Sequence, residues 1–147
     1  MKNKVNEAVE FFQNGKGFNC AQSVFSTYCE DLGLDKETAL KLSCGLGGGM
    51  GRLGQVCGAV SGAILIIGLK YGKFLSEDRE CKGKTYALVH ELGKKFAERN
   101  QSINCHELSQ IDLLCGDEQA IKERTSQTCH RLVKDAAEIL ESILSDS

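Results

Sequence analysis

GLGGGMGRLGQVCGAVSG, residues 45 to 62, holds eight of the chain's sixteen glycines and a single cysteine, Cys57. Its middle, GMGRLG (49–54), matches the G-x-G-x-x-G pattern of a dinucleotide-binding turn, so reading this stretch decides between an α/β fold and a helical one. That pattern binds a dinucleotide only where a strand enters the turn, a helix leaves it and an acidic residue follows about twenty positions on. Here helical periodicity precedes the turn, and no strand follows the next helix. The other phosphate-binding pattern fails as well: Gly83-Lys84-Thr85 resembles the end of a P-loop, but Asp78 stands where its first glycine is required. The glycines are then read as conformational, giving positive φ and close approach of backbones.

Outward from this loop, apolar periodicity reads as helix on both sides. The segment 56–71 is apolar nearly all round, which predicts a central, buried helix. Within it Gly58 and Gly62 are four apart and flanked by Ala59, Ser61 and Ala63, a small-residue face on which another helix can pack backbone to backbone. Upstream, Val5, Ala8, Val9 and Phe12 predict a helix over 2–13 that stops at Asn14-Gly15. A second spans 20–32, with Ala21, Val24, Phe25 and Tyr28 inward and Gly33 at its end. A third is capped by Asp35 and turns Ala39, Leu40 and Cys44 inward. Downstream, Leu88, Leu92 and Phe96 mark a helix from Ser76 to about Arg99. A short helix over 105–114 comes next, then a last one within 117–144 carrying Leu132, Ala136, Leu140 and Leu144. The expected fold is all-α: one helical bundle of about six to seven helices over residues 1–147, with the central apolar helix after the glycine-rich loop.

Composition narrows the function classes. The chain has 147 residues, net charge −2 and no proline, which suits a helical protein and gives no surface for nucleic acid. The N-terminal residues alternate apolar with charged and do not read as a signal peptide. The longest apolar run, 59–69, is half a membrane span. The expectation is a cytoplasmic protein that does not span a membrane. In a reducing compartment, eight cysteines point to metal binding, catalysis or redox sensing rather than a static disulfide framework.

Three of those cysteines share a setting. Asn19-Cys20-Ala21-Gln22 and Asn104-Cys105-His106-Glu107 each read as an Asn N-cap with Gln or Glu three residues on, which puts the thiol at the first helical position. Cys57 also lies near a helix start. Free N–H groups and the positive dipole end there stabilise a thiolate. Cys29, Cys44 and Cys81 read as small buried hydrophobes, Cys115 the same less firmly, and position alone leaves Cys129 open. No C-x-x-C is present. His106 and His130 each follow a cysteine, yet adjacent helical residues point about 100° apart and rarely share a metal. His90 reads as structural.

GFNCAQSVF, GLGGGMGRLGQVCGAVSGAILIIGLKYG, INCHELSQIDL and CHRLVKDAAEIL, in this order, resemble the C_GCAxxG_C_C family, whose CGAxxG signature reads here as Cys57 to Gly62. The resemblance implies that Cys20, Cys57, Cys105 and Cys129 are the family's four cysteines, which assigns Cys129. It implies redox activity without a reaction, substrate or cofactor, and genes that often neighbour transporter genes.

Three functions follow as expectations. In the first, a thiol-based redox protein, two or four of these cysteines cycle between thiol and disulfide. Cys57 is the expected attacking thiol, approachable beside its glycine loop, and Cys20 or Cys105 the resolving one. The second is a metal module, with zinc or an iron–sulfur cluster held by Cys20, Cys57, Cys105 and Cys129. The third is a helical adaptor associated with a transport system. Partners are an unidentified redox partner or transporter-linked protein, or a second copy in a homodimer.

Overall fold

A computed structural model describes residues 3–13 and 17–146. Seven α-helices are present among them: α1 (Lys4–Gln13), α2 (Cys20–Tyr28), α3 (Lys36–Ser43), α4 (Gly58–Tyr71), α5 (Arg79–Asn100), α6 (Cys105–Ser109) and α7 (Glu118–Asp146). The described residues contain no strand, only one antiparallel bridge between Val56 and Asn104. The all-α expectation holds. No helix among the described residues is long and apolar enough to cross a membrane.

Several boundaries differ from the periodicity reading, each for a local reason. Helix α2 ends at Tyr28, short of 32, because the chain tightens into a 3₁₀ turn, Glu30–Leu32, closed by Gly33 at φ 86°. Helix α5 starts at Arg79 and not Ser76, since Asp78 supplies the cap by accepting the Cys81 N–H at 3.0 Å. Helix α6 stops at Ser109, where Gln110 turns left-handed at φ 57°. The predicted stop of α1 at Asn14-Gly15 lies outside the described residues.

Two helices form the centre. Helix α4 is buried through its first two turns, as expected of an all-apolar segment. Helix α2 is buried at all nine positions, which its sequence conceals. Gln22, Ser23, Ser26 and Thr27 look like a solvent face between the apolar positions. The Ser23 and Thr27 hydroxyls donate to the carbonyls of Asn19 (2.8 Å) and Ser23 (2.7 Å) one turn back, and Gln22 Nε2 donates to Leu40 O at 3.0 Å. Such internal bonds let hydroxyl residues enter a core without an orphaned donor.

The contact between α2 and α4 is backbone on backbone, as the small-residue face predicts. A β-carbon on Gly62 would stand 2.7 Å from Ala21 O and 3.2 Å from Val24 Cβ. One on Gly58 would stand 2.6 Å from Cys20 Sγ and 3.1 Å from Leu46 O. Long α7 and α5 pack on the outer sides of this pair, with Leu92, Phe96, Leu132, Val133, Ile139 and Leu140 fully or nearly fully buried.

The entry to α2 is a complete capping box. Asn19 Oδ1 accepts the Gln22 N–H at 2.9 Å, and Gln22 Oε1 accepts the Asn19 N–H at 3.0 Å. Asn19 Nδ2 also donates to Cys44 O at 2.9 Å, tying the cap to the end of α3. Asn19→Ala removes the first and last of these bonds and is expected to lower unfolding free energy by about 1–2 kcal/mol in urea titrations. An unchanged midpoint would mean that water replaces the cap.

Candidate functional site

The four cysteines singled out by the sequence arrive from four places and line one cleft of about 950 Å³. Cys20 is the first residue of α2, behind the Asn19 cap. Cys57 is the N-cap of α4 and Cys105 the first residue of α6, and a short backbone strap joins their approaches. Cys57 N–H donates to Ile103 O at 2.7 Å, Cys105 N–H to Gln55 O at 2.6 Å, and His106 N–H to Gly54 O at 3.2 Å. Cys129 comes from the middle of α7. At Asn104 only half of the expected capping box forms. Its side chain accepts the Glu107 N–H at 3.1 Å, but Glu107 turns to the Ser102 hydroxyl, which itself accepts the Asn104 N–H at 2.9 Å.

Cys20 is the hub. Cys129 and Cys57 are the side chains that act most strongly on its thiol, with smaller contributions from the backbone of Ala21 and Gly48. The bond from Cys129, then that from Cys57, hold the Cys20 thiol well below its ordinary pKa, outweighing the burial that pushes it up. Its neighbours move the other way. Cys57 is raised because it donates to Cys20, is buried and faces the Cys20 charge. Cys129 is raised for the same reasons in the same order. Burial, then the charge on Cys20, pushes Cys105 up to about 11. The shifts run in opposite directions, Cys20 down and its neighbours up, as in one coupled titration of the buried sulfurs.

This arrangement corrects the expectation about Cys57. It is 2% exposed, and the glycine loop packs over the cluster and does not present that thiol. It also corrects three of the four cysteines read as buried hydrophobes. Cys29 is buried, its thiol donating to Ser26 O at 3.4 Å. Cys44 and Cys115 are exposed, Cys44 on the wall of the same cleft. Cys81 is half-buried, with its thiol on Tyr71 O at 2.9 Å. His90 is exposed, and His130 Nδ1 lies 3.1 Å from Ser126 O. For the metal expectation, the four cysteines line one cleft. Among the described residues no group of three or more His, Cys, Asp or Glu is placed to hold a metal ion.

Two features of the site went unread in the sequence. Gly48, Gly49, Met50, Gly51 and Arg52 all have positive φ, between 59° and 70°, so the loop is a left-handed turn. It closes with Arg52 Nη1 on Glu118 Oε1 at 2.9 Å, which ties the turn to the start of α7. Consecutive glycines hinted at positive φ; Met50 and Arg52, which rarely adopt it, did not.

Comparison with known proteins gives three findings. The profile of a family described as "Putative redox-active protein (C_GCAxxG_C_C)" matches residues 18–143. A protein of Archaeoglobus fulgidus, described only as uncharacterized, is 30% identical over 136 residues, covering 87% of this chain and 85% of that protein. No solved structure matches.

Proposed function

This chain belongs to the C_GCAxxG_C_C family, described as redox-active, and from that premise we propose that it is a thiol–disulfide redox protein whose attacking thiolate is Cys20. The observation that supports this reading is the meeting of Cys20, Cys57, Cys105 and Cys129 on one cleft, where hydrogen-bond donors hold the Cys20 thiol below its ordinary pKa. Such donors stabilise the thiolate that thiol–disulfide exchange requires.

The reaction then runs in two exchanges. Cys20 thiolate attacks a disulfide of the oxidant, forming a mixed disulfide and releasing one oxidant thiolate. A neighbouring thiol, Cys57 or Cys129, gives its proton to a leaving thiolate and attacks Cys20 Sγ. The second oxidant thiol departs and an internal disulfide remains. The oxidant disulfide gains two electrons and one proton and leaves as one thiol and one thiolate, while the cysteine pair, already ionised at Cys20, loses two electrons and its one proton. Both neighbours line the same cleft as Cys20, which favours an attack without a large backbone movement.

The test begins with protein purified without oxygen. Metal analysis and an absorption spectrum come first, then thiol counts before and after mild treatment with a small disulfide. A fall of two thiols, with peptide mapping that joins Cys20 to Cys57 or Cys129, is the expected result. Unchanged thiol counts, or stoichiometric zinc or iron retained by the four cysteines, overturn it.

A further inference from the structure

The four cysteines line a cleft and do not stand out from the surface, and this limits what can reach them. Cys20 and Cys57 are 7% and 2% exposed, and Cys105 and Cys129 are half-buried. In thiol–disulfide exchange the attacking sulfur must meet a disulfide sulfur directly, so access governs the rate as well as ionisation. A disulfide held in the surface of a folded protein carries its own backbone to the cleft wall. A small disulfide needs only the cleft itself, whose volume of about 950 Å³ falls within the range of small-molecule sites.

The lining has a chemical character of its own. Phe12, Phe18, Leu113 and Ile121 give it apolar walls that suit the methylene arms of a ligand. Apart from the thiols, its charged side chains among the described residues are Arg52, Glu118 and Lys122. Arg52 and Glu118 neutralise each other through their 2.9 Å ion pair. Lys122 forms no ion pair among the described residues and leaves the lining with one uncompensated cation. Its position on α7 also sets a distance. Lys122, Ser126 and Cys129 all line the cleft at i, i+4 and i+7, on one face of the helix. Seven residues of α-helix rise about 10 Å, which separates Lys122 from Cys129 along the axis.

We propose that the cleft takes a low-molecular-weight disulfide of short thiols bearing a carboxylate, which Lys122 holds while the disulfide lies over the cysteines. This rests on the redox reading above. The length from sulfur to carboxylate is then at most about three residues of extended chain, so each half is of amino-acid or short-peptide size. The exchanges are those already given. The cysteine pair yields two electrons and its one proton, and the substrate leaves as one thiol and one thiolate, each with its carboxylate unchanged.

Four oxidants test this on reduced protein made without oxygen: dithiodipropionate, which is anionic, neutral hydroxyethyl disulfide, cationic cystamine, and insulin as a protein-held disulfide. Thiol loss is followed by peptide mapping, which keeps the exposed Cys44 and Cys115 apart from the cleft cysteines. Each rate is divided by that of free mercaptoethanol with the same oxidant, which removes the oxidant's own reactivity. Dithiodipropionate is expected to react on the order of tenfold faster than cystamine, and insulin more slowly than all three. Lys122→Gln is expected to abolish the charge preference and Lys122→Arg to retain it. Insulin reacting fastest overturns the small substrate and leaves the redox reading standing. A charge ratio near one, or one that survives in Lys122→Gln, overturns the carboxylate site. Loss of no cleft thiol with any of the four oxidants overturns the redox reading itself.

Discussion

Cys20→Ser is expected to leave a folded protein that no longer loses thiols on mild oxidation, where the wild type loses two. The serine hydroxyl can occupy the same place and accept the same N–H groups, so the fold tolerates it better than it would a larger side chain. What disappears is the ionised sulfur. Burial is a cause of the raised pKa of Cys57, Cys105 and Cys129 alike, and it outlasts the loss of Cys20, so at neutral pH little thiolate remains to begin exchange. The sign of the pH dependence follows. An ordinary thiol, with pKa about 8.5, is only a few per cent ionised at pH 7, and its alkylation rate climbs about tenfold per pH unit up to that pKa. Cys20 is lowered, so its rate should already have levelled off below pH 8.5 in the wild type. Cys129→Ala removes the largest cause of the lowering and should move the levelling point upward. Iodoacetamide labelling followed by peptide mass spectrometry measures both. Oxidation of two thiols in Cys20→Ser, or a Cys20 profile still climbing through pH 8.5, counts against Cys20 as the attacking group.

The second large effect concerns the scaffold. Gly62→Ala is expected to destabilise the protein by about 3 kcal/mol, the upper range for overpacking a core, and Gly68→Ala in the same helix to stabilise it by about 0.5–1 kcal/mol. The chemistry of the two substitutions is identical. At Gly62 the new methyl meets Ala21 O at 2.7 Å and Ala21 Cα at 3.3 Å, which are backbone atoms of a fully buried helix that cannot give way alone. Helices α2 and α4 must separate, and Cys20, at the start of α2, moves with them. At Gly68 nothing lies within 4 Å, so the substitution only restricts the unfolded chain and favours the helix. Urea titrations of the two variants beside wild type decide it. Two small changes of the same sign would mean that the close contact of α2 with α4 is absent.

These expectations separate what was legible in one dimension from what was not. Helix starts at Asn19, Asp35 and Asn104 were readable because a cap is a bond over three residues. The close packing at Gly58 and Gly62 was readable because small residues four apart share a helix face. The grouping of Cys20, Cys57, Cys105 and Cys129 came from resemblance, since for Cys129 no local pattern points to a site. Burial of α2 stayed hidden because Ser23 and Thr27 bond to their own helix, and that satisfaction leaves no mark on hydrophobic periodicity; among the described residues the buried Ser26 hydroxyl has no such partner. Cys44 was read as buried from its spacing behind Leu40, yet α3 ends at Ser43 and the chain carries Cys44 to the surface.

The approachability expected of Cys57 failed for a related reason. A glycine-rich loop in sequence suggests access, and a helix start suggests a lowered pKa. Both are statements about one segment. In the folded chain the loop coils left-handed onto the cysteine cleft, Cys57 is buried, and its neighbours lower Cys20 instead. The sequence by itself determined the helices, their caps and the close approach of α2 to α4, because those depend on neighbours within a turn or two. Only the tertiary structure decided which sulfurs share one cleft and which of them is lowered by its neighbours. That depends on which thiol receives the most hydrogen bonds from segments far apart in the chain, and packing alone brings those donors together.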